Sequence, residues 1–211
     1  MAETTFSEYS HDVEETFSRG HQYAKALLIL DPRLSQIQED DLAMGFDVGG
    51  GADAVAFVAL GFKKARVTNQ QPASYGYLLQ GRAETEDKIL NEILKNHLSG
   101  RVGFSNLGLS DWVQMKNFSP RLTTLLRMSP ICFGEEDSAS YLKEMIELHE
   151  KLKKNSTIVI SALDDHTLSK QAFQETAGLL IKSGIEHELL LDADIPEPLK
   201  ILGQRILTIK K

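Results

Sequence analysis

The chain is short of cysteine and of basic charge, and each shortage removes a class of protein. Its 211 residues hold one cysteine, Cys132, which excludes an internal disulfide framework and a cysteine-rich zinc site. Cys132 lies in the apolar run Met128-Ser129-Pro130-Ile131-Cys132-Phe133, so it reads as a small core residue rather than a nucleophile. Lysine and arginine total 23 against 30 aspartates and glutamates, a formal net charge of −7. The basic footprint that broad nucleic-acid binding needs is therefore missing. No apolar run reaches the roughly 18 residues of a transmembrane segment. The opening Met1-Ala2-Glu3-Thr4-Thr5-Phe6 has neither the basic start nor the apolar stretch of a secretory signal. A cytoplasmic location is the resulting expectation. The histidines (His11, His21, His97, His149, His166, His187) fall in no metal-ligating spacing, so no metal is expected.

What is present is an alternation of strand-like and helix-like segments. Residues 1–40 are acid-rich, with Phe6, Tyr9, Val13, Phe17, Tyr23, Ala26, Leu27 and Leu30 at helical spacing, and Asp31-Pro32 ends the pattern. They read as an N-terminal helical extension of one or two helices covering one edge of a domain over 41–211. Strands are predicted at Leu42–Val48, Ala65–Thr68, Arg101–Ser105, Ile131–Gly134, Thr157–Ser161, Glu186–Leu191 and Arg205–Ile209. Helices are predicted at Ala54–Phe62, Thr85–Leu98 (with His97 or Leu98 on its apolar face), Ala139–Lys153 and Leu168–Lys182, the last stopped by Gly184. His149 falls among charges and reads as solvent-facing. Residues 106–127 follow no clear period, and their apolar members Trp112, Met115, Phe118, Leu122, Leu125, Leu126 and Met128 fit either a partner surface or a helix packed on the sheet. The alternation predicts a doubly wound α/β sheet whose last two strands pair antiparallel.

The stretch richest in chemical implication is Asp47-Val48-Gly49-Gly50-Gly51-Ala52-Asp53-Ala54. Glycines between a buried strand and a helix let a ligand approach the backbone and the start of the helix. Asp53 stands where such a loop takes another small residue, and its residue type suits an N-cap for a helix beginning at Ala54.

This strand, the loop, the small-residue helix and Lys64-Ala65-Arg66-Val67-Thr68 resemble the first cofactor motif of class I S-adenosylmethionine-dependent methyltransferases. The likeness continues through Ser99-Gly100-Arg101-Val102-Gly103-Phe104 and Leu152-Lys153-Lys154-Asn155-Ser156-Thr157-Ile158-Val159-Ile160 to the closing pair, and covers roughly residues 42–211. It implies a mostly parallel seven-stranded sheet with an antiparallel C-terminal strand, and S-adenosylmethionine as cofactor. By position it implies Asp47, Gly49, Gly50, Gly51 and Asp53 in the loop, Gln70 where an acid usually meets the ribose, and Asp111 or Trp112 beside the adenine. Three positions depart from the pattern: Asp53 adds bulk and charge in the loop, the Asn69–Gln71 segment carries no acid, and Asp111 falls late. Gly49-x-Gly51-x-x-Ala54 also fits the dinucleotide fingerprint, which wants an acidic residue about 20 positions on that is missing here. Asp47-Val48-Gly49-Gly50-Gly51 further resembles a phosphate loop of the actin-type ATPases, a fold that needs a longer chain and an earlier loop.

Elsewhere, Gly134-Glu135-Glu136-Asp137 reads as an acidic helix start, and Asp164-Asp165-His166 as a turn at the carboxyl end of the sheet. No catalytic residue is assigned. Two functions fit: a non-catalytic binding or adaptor subunit that acts through protein partners and has lost the cofactor, and an active methyltransferase on a small-molecule or protein acceptor.

Overall fold

A computed structural model describes residues 6–46, 51–68, 88–105, 112, 114–129, 147–162 and 170–211, with backbone alone for residues 6–13. The chain begins with α1 (Phe6–Leu30), which Asp31-Pro32 terminates into a short 3-10 turn. Strands β1 (Leu42–Phe46), β2 (Lys64–Thr68), β3 (Val102–Ser105), β4 (Thr123–Met128) and β5 (Thr157–Ala162) follow, with α2 (Ala52–Ala59) after β1 and α3 (Lys88–Leu98) after β2. Helix α4 (Lys170–Lys182) and strands β6 (His187–Leu191) and β7 (Arg205–Lys210) close the fold.

The seven strands form one sheet in the order β3-β2-β1-β4-β5-β7-β6. Neighbours among β1 to β5 pair in parallel, and β7 pairs antiparallel with both β5 and β6. The predicted architecture is therefore observed.

Two apolar layers sandwich this sheet, which is why β5 is buried along its whole length. Ala43, Ala65, Val67, Leu125, Val159 and Ile206 face α1 and α2 on one side. Met44, Leu126, Ile158, Ile160 and Leu207 face Trp112, Phe118, Leu148 and Phe173 on the other. The contacts of α1 lie with α2 and the face of the central strands, not along the edge that the sequence suggests. Its buried stripe, Phe17, Gly20, Ala24, Leu27 and Leu30, has helical spacing. The crossing is close: a Cβ on Gly20 would lie 2.4 Å from Val55 Cβ and 2.7 Å from the Ala52 carbonyl oxygen.

The structure corrects the sequence reading in three further places of the fold and settles a fourth that the sequence left open. Helix α2 starts at Ala52 rather than Ala54. The irregular segment holds the whole of β4, so Leu125, Leu126 and Met128 are sheet core, with Trp112 and Phe118 buried against them; of the proposed surface residues only Leu122 is exposed. His149 is buried, and its Nε2 lies 3.3 Å from the Lys210 carbonyl oxygen; burial lowers its pKa against the opposing pull of that hydrogen bond. On α3 it is His97, bonded to the Val102 carbonyl, that faces inward, and Leu98 that faces water. The predicted Ile131–Gly134 strand and most of the Ala139–Lys153 helix lie outside the described residues. Helix α4 ends as predicted: Gly184 takes φ 66°, and the bonds Ile185 N to Leu180 O and Gly184 N to Ile181 O close a Schellman motif. Among the described residues no helix is long and apolar enough to cross a membrane.

Candidate functional site

The carboxyl ends of the parallel strands are where ligands enter a doubly wound sheet. There β1 hands over to α2. Asp47, Gly49 and Gly50 lie outside the described residues, and Gly51 is the N-cap of α2. No side-chain hydrogen bond caps this end, and the first N–H groups of a helix have no partner within it. Combined with the helix dipole, they are donors for an anionic group.

Asp53 is the second residue of α2 and does not cap it. Its carboxylate turns inward toward Arg127 of β4, with Oδ1 at 3.4 Å from Nε and both side chains 1% exposed. Arg127 is held from two further directions, donating from one Nη to the Met128 carbonyl at 2.8 Å and to Ser161 Oγ at 2.9 Å. Its guanidinium stands 5.7 Å from the centre of the Tyr23 ring on α1. Gly45, the register partner of Arg127 on β1, has no side chain to compete for that space. Burial pushes the Asp53 carboxyl up to about 6, against the opposing pull of Arg127. Tyr23 is pushed up as well, by burial first and by Asp53 second. Neither Asp53 Oδ1 nor Arg127 Nε has a hydrogen bond among the described residues. The pair is thus electrostatic contact without hydrogen-bond geometry.

Trp112 is fully buried and packs its ring on Phe46 at the end of β1, centroids 5.0 Å apart. Gln70 and Asp111 lie outside the described residues, as do Glu135 to Asp137 and Asp164 to His166. Of the predicted site residues, the structure brings Gly51 and Asp53 to the start of α2 and sets Trp112 on the opposite face of the sheet. Sequence reasoning missed Arg127, and a signal was available. It is the lone charge inside Thr123–Met128, and Asp53 is the lone charge inside the otherwise apolar Ala52–Ala59. Opposite lone charges in two buried elements call for each other.

A cavity of about 320 Å³ opens at the same end of the sheet, lined by Asp192, Ile195, Lys200, Gly203 and Gln204. The Gln204 N–H bonds the carbonyl of Ala162, the last residue of β5.

The strand order and the antiparallel β7 define the fold of class I S-adenosylmethionine-dependent methyltransferases. Solved structures of that class are similar to this chain. A putative S-adenosylmethionine-dependent methyltransferase from Methanococcus maripaludis matches over 100% of this chain and 97% of its own, with a TM-score of 0.54 and 14% identity. An rRNA methylase from Streptococcus thermophilus matches over 85% and 93%, with a TM-score of 0.53 and 13% identity. A putative S-adenosylmethionine-dependent methyltransferase from Streptococcus mutans matches over 85% of this chain at a TM-score of 0.55 and 15% identity; only 47% of that protein is covered, about half its length. No protein-family model matches the chain, and no curated protein does.

Proposed function

We propose that this chain binds S-adenosylmethionine at the junction of β1 and α2 and acts as a methyltransferase on a small-molecule or protein acceptor. One observation carries the reading: Asp53 is drawn into the core by Arg127. A carboxylate facing the loop would repel the carboxylate of the cofactor; one that is 1% exposed and set beside a guanidinium does not present itself there. The start of α2 is left with N–H donors and no side-chain cap, a setting suited to an anionic group. The described residues therefore fit the cofactor. Gly51 and the first turn of α2 would take its methionine end, with Asp47, Gly49 and Gly50 completing the loop by sequence position. When bound, S-adenosylmethionine supplies an electrophilic methyl group on a sulfonium. The protein's part is to hold donor and acceptor in line and exclude water. The cavity beside Gly203 is on the same end of the sheet and suits part of an acceptor.

The adaptor reading has less support, because the residues offered as its partner surface are largely sheet core. The test is a thermal melt with S-adenosylmethionine or its demethylated product. A ligand at about a thousandfold excess over its dissociation constant stabilises by roughly 4 kcal/mol. A shift that disappears in Asp47→Ala supports the proposal. No shift with either ligand overturns it and leaves the adaptor.

A further inference from the structure

The sheet face opposite α2 carries a second unusual cation. Arg66 of β2 is paired in register with Met44 on β1 and Gly103 on β3. Its guanidinium packs against two neighbours. The Phe118 ring lies over it, 4.7 Å from Cζ to the ring centroid. The bare backbone of Gly103 lies close by: a Cβ there would come within 3.1 Å of Nη2 and 3.3 Å of Cζ. Arg66 is half-buried, and its Nε is fully buried. No carboxylate answers the guanidinium: among the described residues Arg66 has no ion pair, and its buried Nε has no hydrogen bond. Burial is the one influence on its basicity, which it lowers.

The surroundings are short of acceptors as well. Ser105, two residues beyond Gly103 and in register with Thr68, shares this face because side chains alternate along a strand. Its buried hydroxyl has no hydrogen bond among the described residues, and neither does the buried indole N–H of Trp112 on the same side of the sheet. Orphaned donors on one sheet face together with a guanidinium that has no counter-charge are costly in a folded protein. A group that only accepts hydrogen bonds relieves them, and a guanidinium edge matches an oxyanion in a bidentate fork.

We propose that Arg66, packed against Phe118 and Gly103 and sharing a sheet face with Ser105, is a binding site for an oxyanion, the carboxylate or phosphate of a small ligand. It lies across the sheet from α2 and does not depend on cofactor binding.

The experiment follows melting temperature during titration with sodium phosphate or sodium acetate, with sodium chloride holding ionic strength constant. A saturable rise of about 3–5 °C at tenfold excess over the dissociation constant is expected with at least one anion, and the tighter anion identifies the ligand class. Arg66→Met should weaken that binding by about 10- to 100-fold, whereas Arg121→Met, at an exposed arginine, should leave it unchanged. Should Arg66→Met fail to fold, the Arg66 Nε–H resonance of the wild-type protein is followed by NMR through the same titration; a saturable shift supports the site. The proposal is overturned if neither anion gives a saturable rise, if Arg66→Met responds like wild type, or if the resonance stays still.

Discussion

Asp53 of α2 and Arg127 of β4 face each other at 3.4 Å, both side chains 1% exposed, with no hydrogen bond joining them. Two charges removed from water in this way hold each other in place more than they stabilise the fold. Removing one partner is therefore worse than removing both. Arg127→Met should cost about 3–5 kcal/mol at pH 8 by leaving the carboxylate buried alone. The double variant Asp53→Leu with Arg127→Met should recover most of that loss. Urea unfolding of the four proteins in this cycle measures the coupling; equal loss in the single and double variants would sink the account.

The same pair sets a pH dependence. The Asp53 carboxyl is raised to about 6 in the folded protein, by burial working against Arg127, whereas it titrates near 4 when unfolded. Between those values the folded state holds the extra proton, so stability from this group is fully present below about pH 4 and is lost as pH rises through about 6. The stability of wild type relative to Asp53→Asn should thus fall by roughly 3 kcal/mol from pH 4 to pH 7.5. Chemical denaturation of both proteins at several pH values gives the slope, and a flat difference would show that Asp53 titrates normally.

Gly20→Ala sets two effects of opposite sign against each other. Alanine favours a helix interior by about 1 kcal/mol over glycine. Here its Cβ would enter within 2.4 Å of Val55 Cβ and 2.7 Å of the Ala52 carbonyl, so α1 and α2 must separate. Overpacking typically costs 1–3 kcal/mol, and packing should win. A net fall in the urea midpoint is expected and, on the proposed function, weaker S-adenosylmethionine binding, because Ala52 is the first residue of α2. A gain in stability would mean that the helices can part at no cost.

These relationships show where the sequence was readable. Strands β1, β2, β5 and β7 carry apolar residues bounded by turns, the glycine stop at Gly184 marks a real helix end, and Gly100 likewise follows the end of α3 at positive φ. The antiparallel closure was legible because two strand-like segments flank a proline-rich reversal. Strand β4 was not, because Arg127 interrupts an otherwise strand-like run, and only a partner 74 positions earlier, Asp53, makes burial of that charge tolerable. Asp53 was misread for the same reason. Its residue type suits a cap locally, but the long-range partner decides where the side chain goes. His149 sits among charges in sequence, yet the Lys210 carbonyl that receives its ring N–H comes from the last strand.

A second buried acid, Asp31, should show the opposite pH behaviour. It is 2% exposed and ends α1 at the amino edge of the sheet. Arg33 donates to Oδ1 from its backbone N–H at 3.0 Å and from Nε at 2.9 Å, and to Oδ2 from Nη2 at 2.9 Å; the Thr157 hydroxyl of β5 also donates to Oδ2. Burial pushes this carboxyl up, but the hydrogen bonds from Arg33 and Thr157 outweigh it and hold the group below its usual value. A lowered carboxyl contributes stability above its unfolded pKa near 4, and the contribution is lost as pH falls through the folded value. Asp31→Asn keeps the shape but cannot accept the same charge-assisted bonds, so it should cost about 2–3 kcal/mol at pH 7. That cost should shrink steadily below pH 4, in the range where Asp53 contributes fully. Unfolding of wild type and Asp31→Asn at pH 7 and pH 3 checks this, and a cost unchanged at pH 3 would show that shape rather than charge holds the end of α1 to β5.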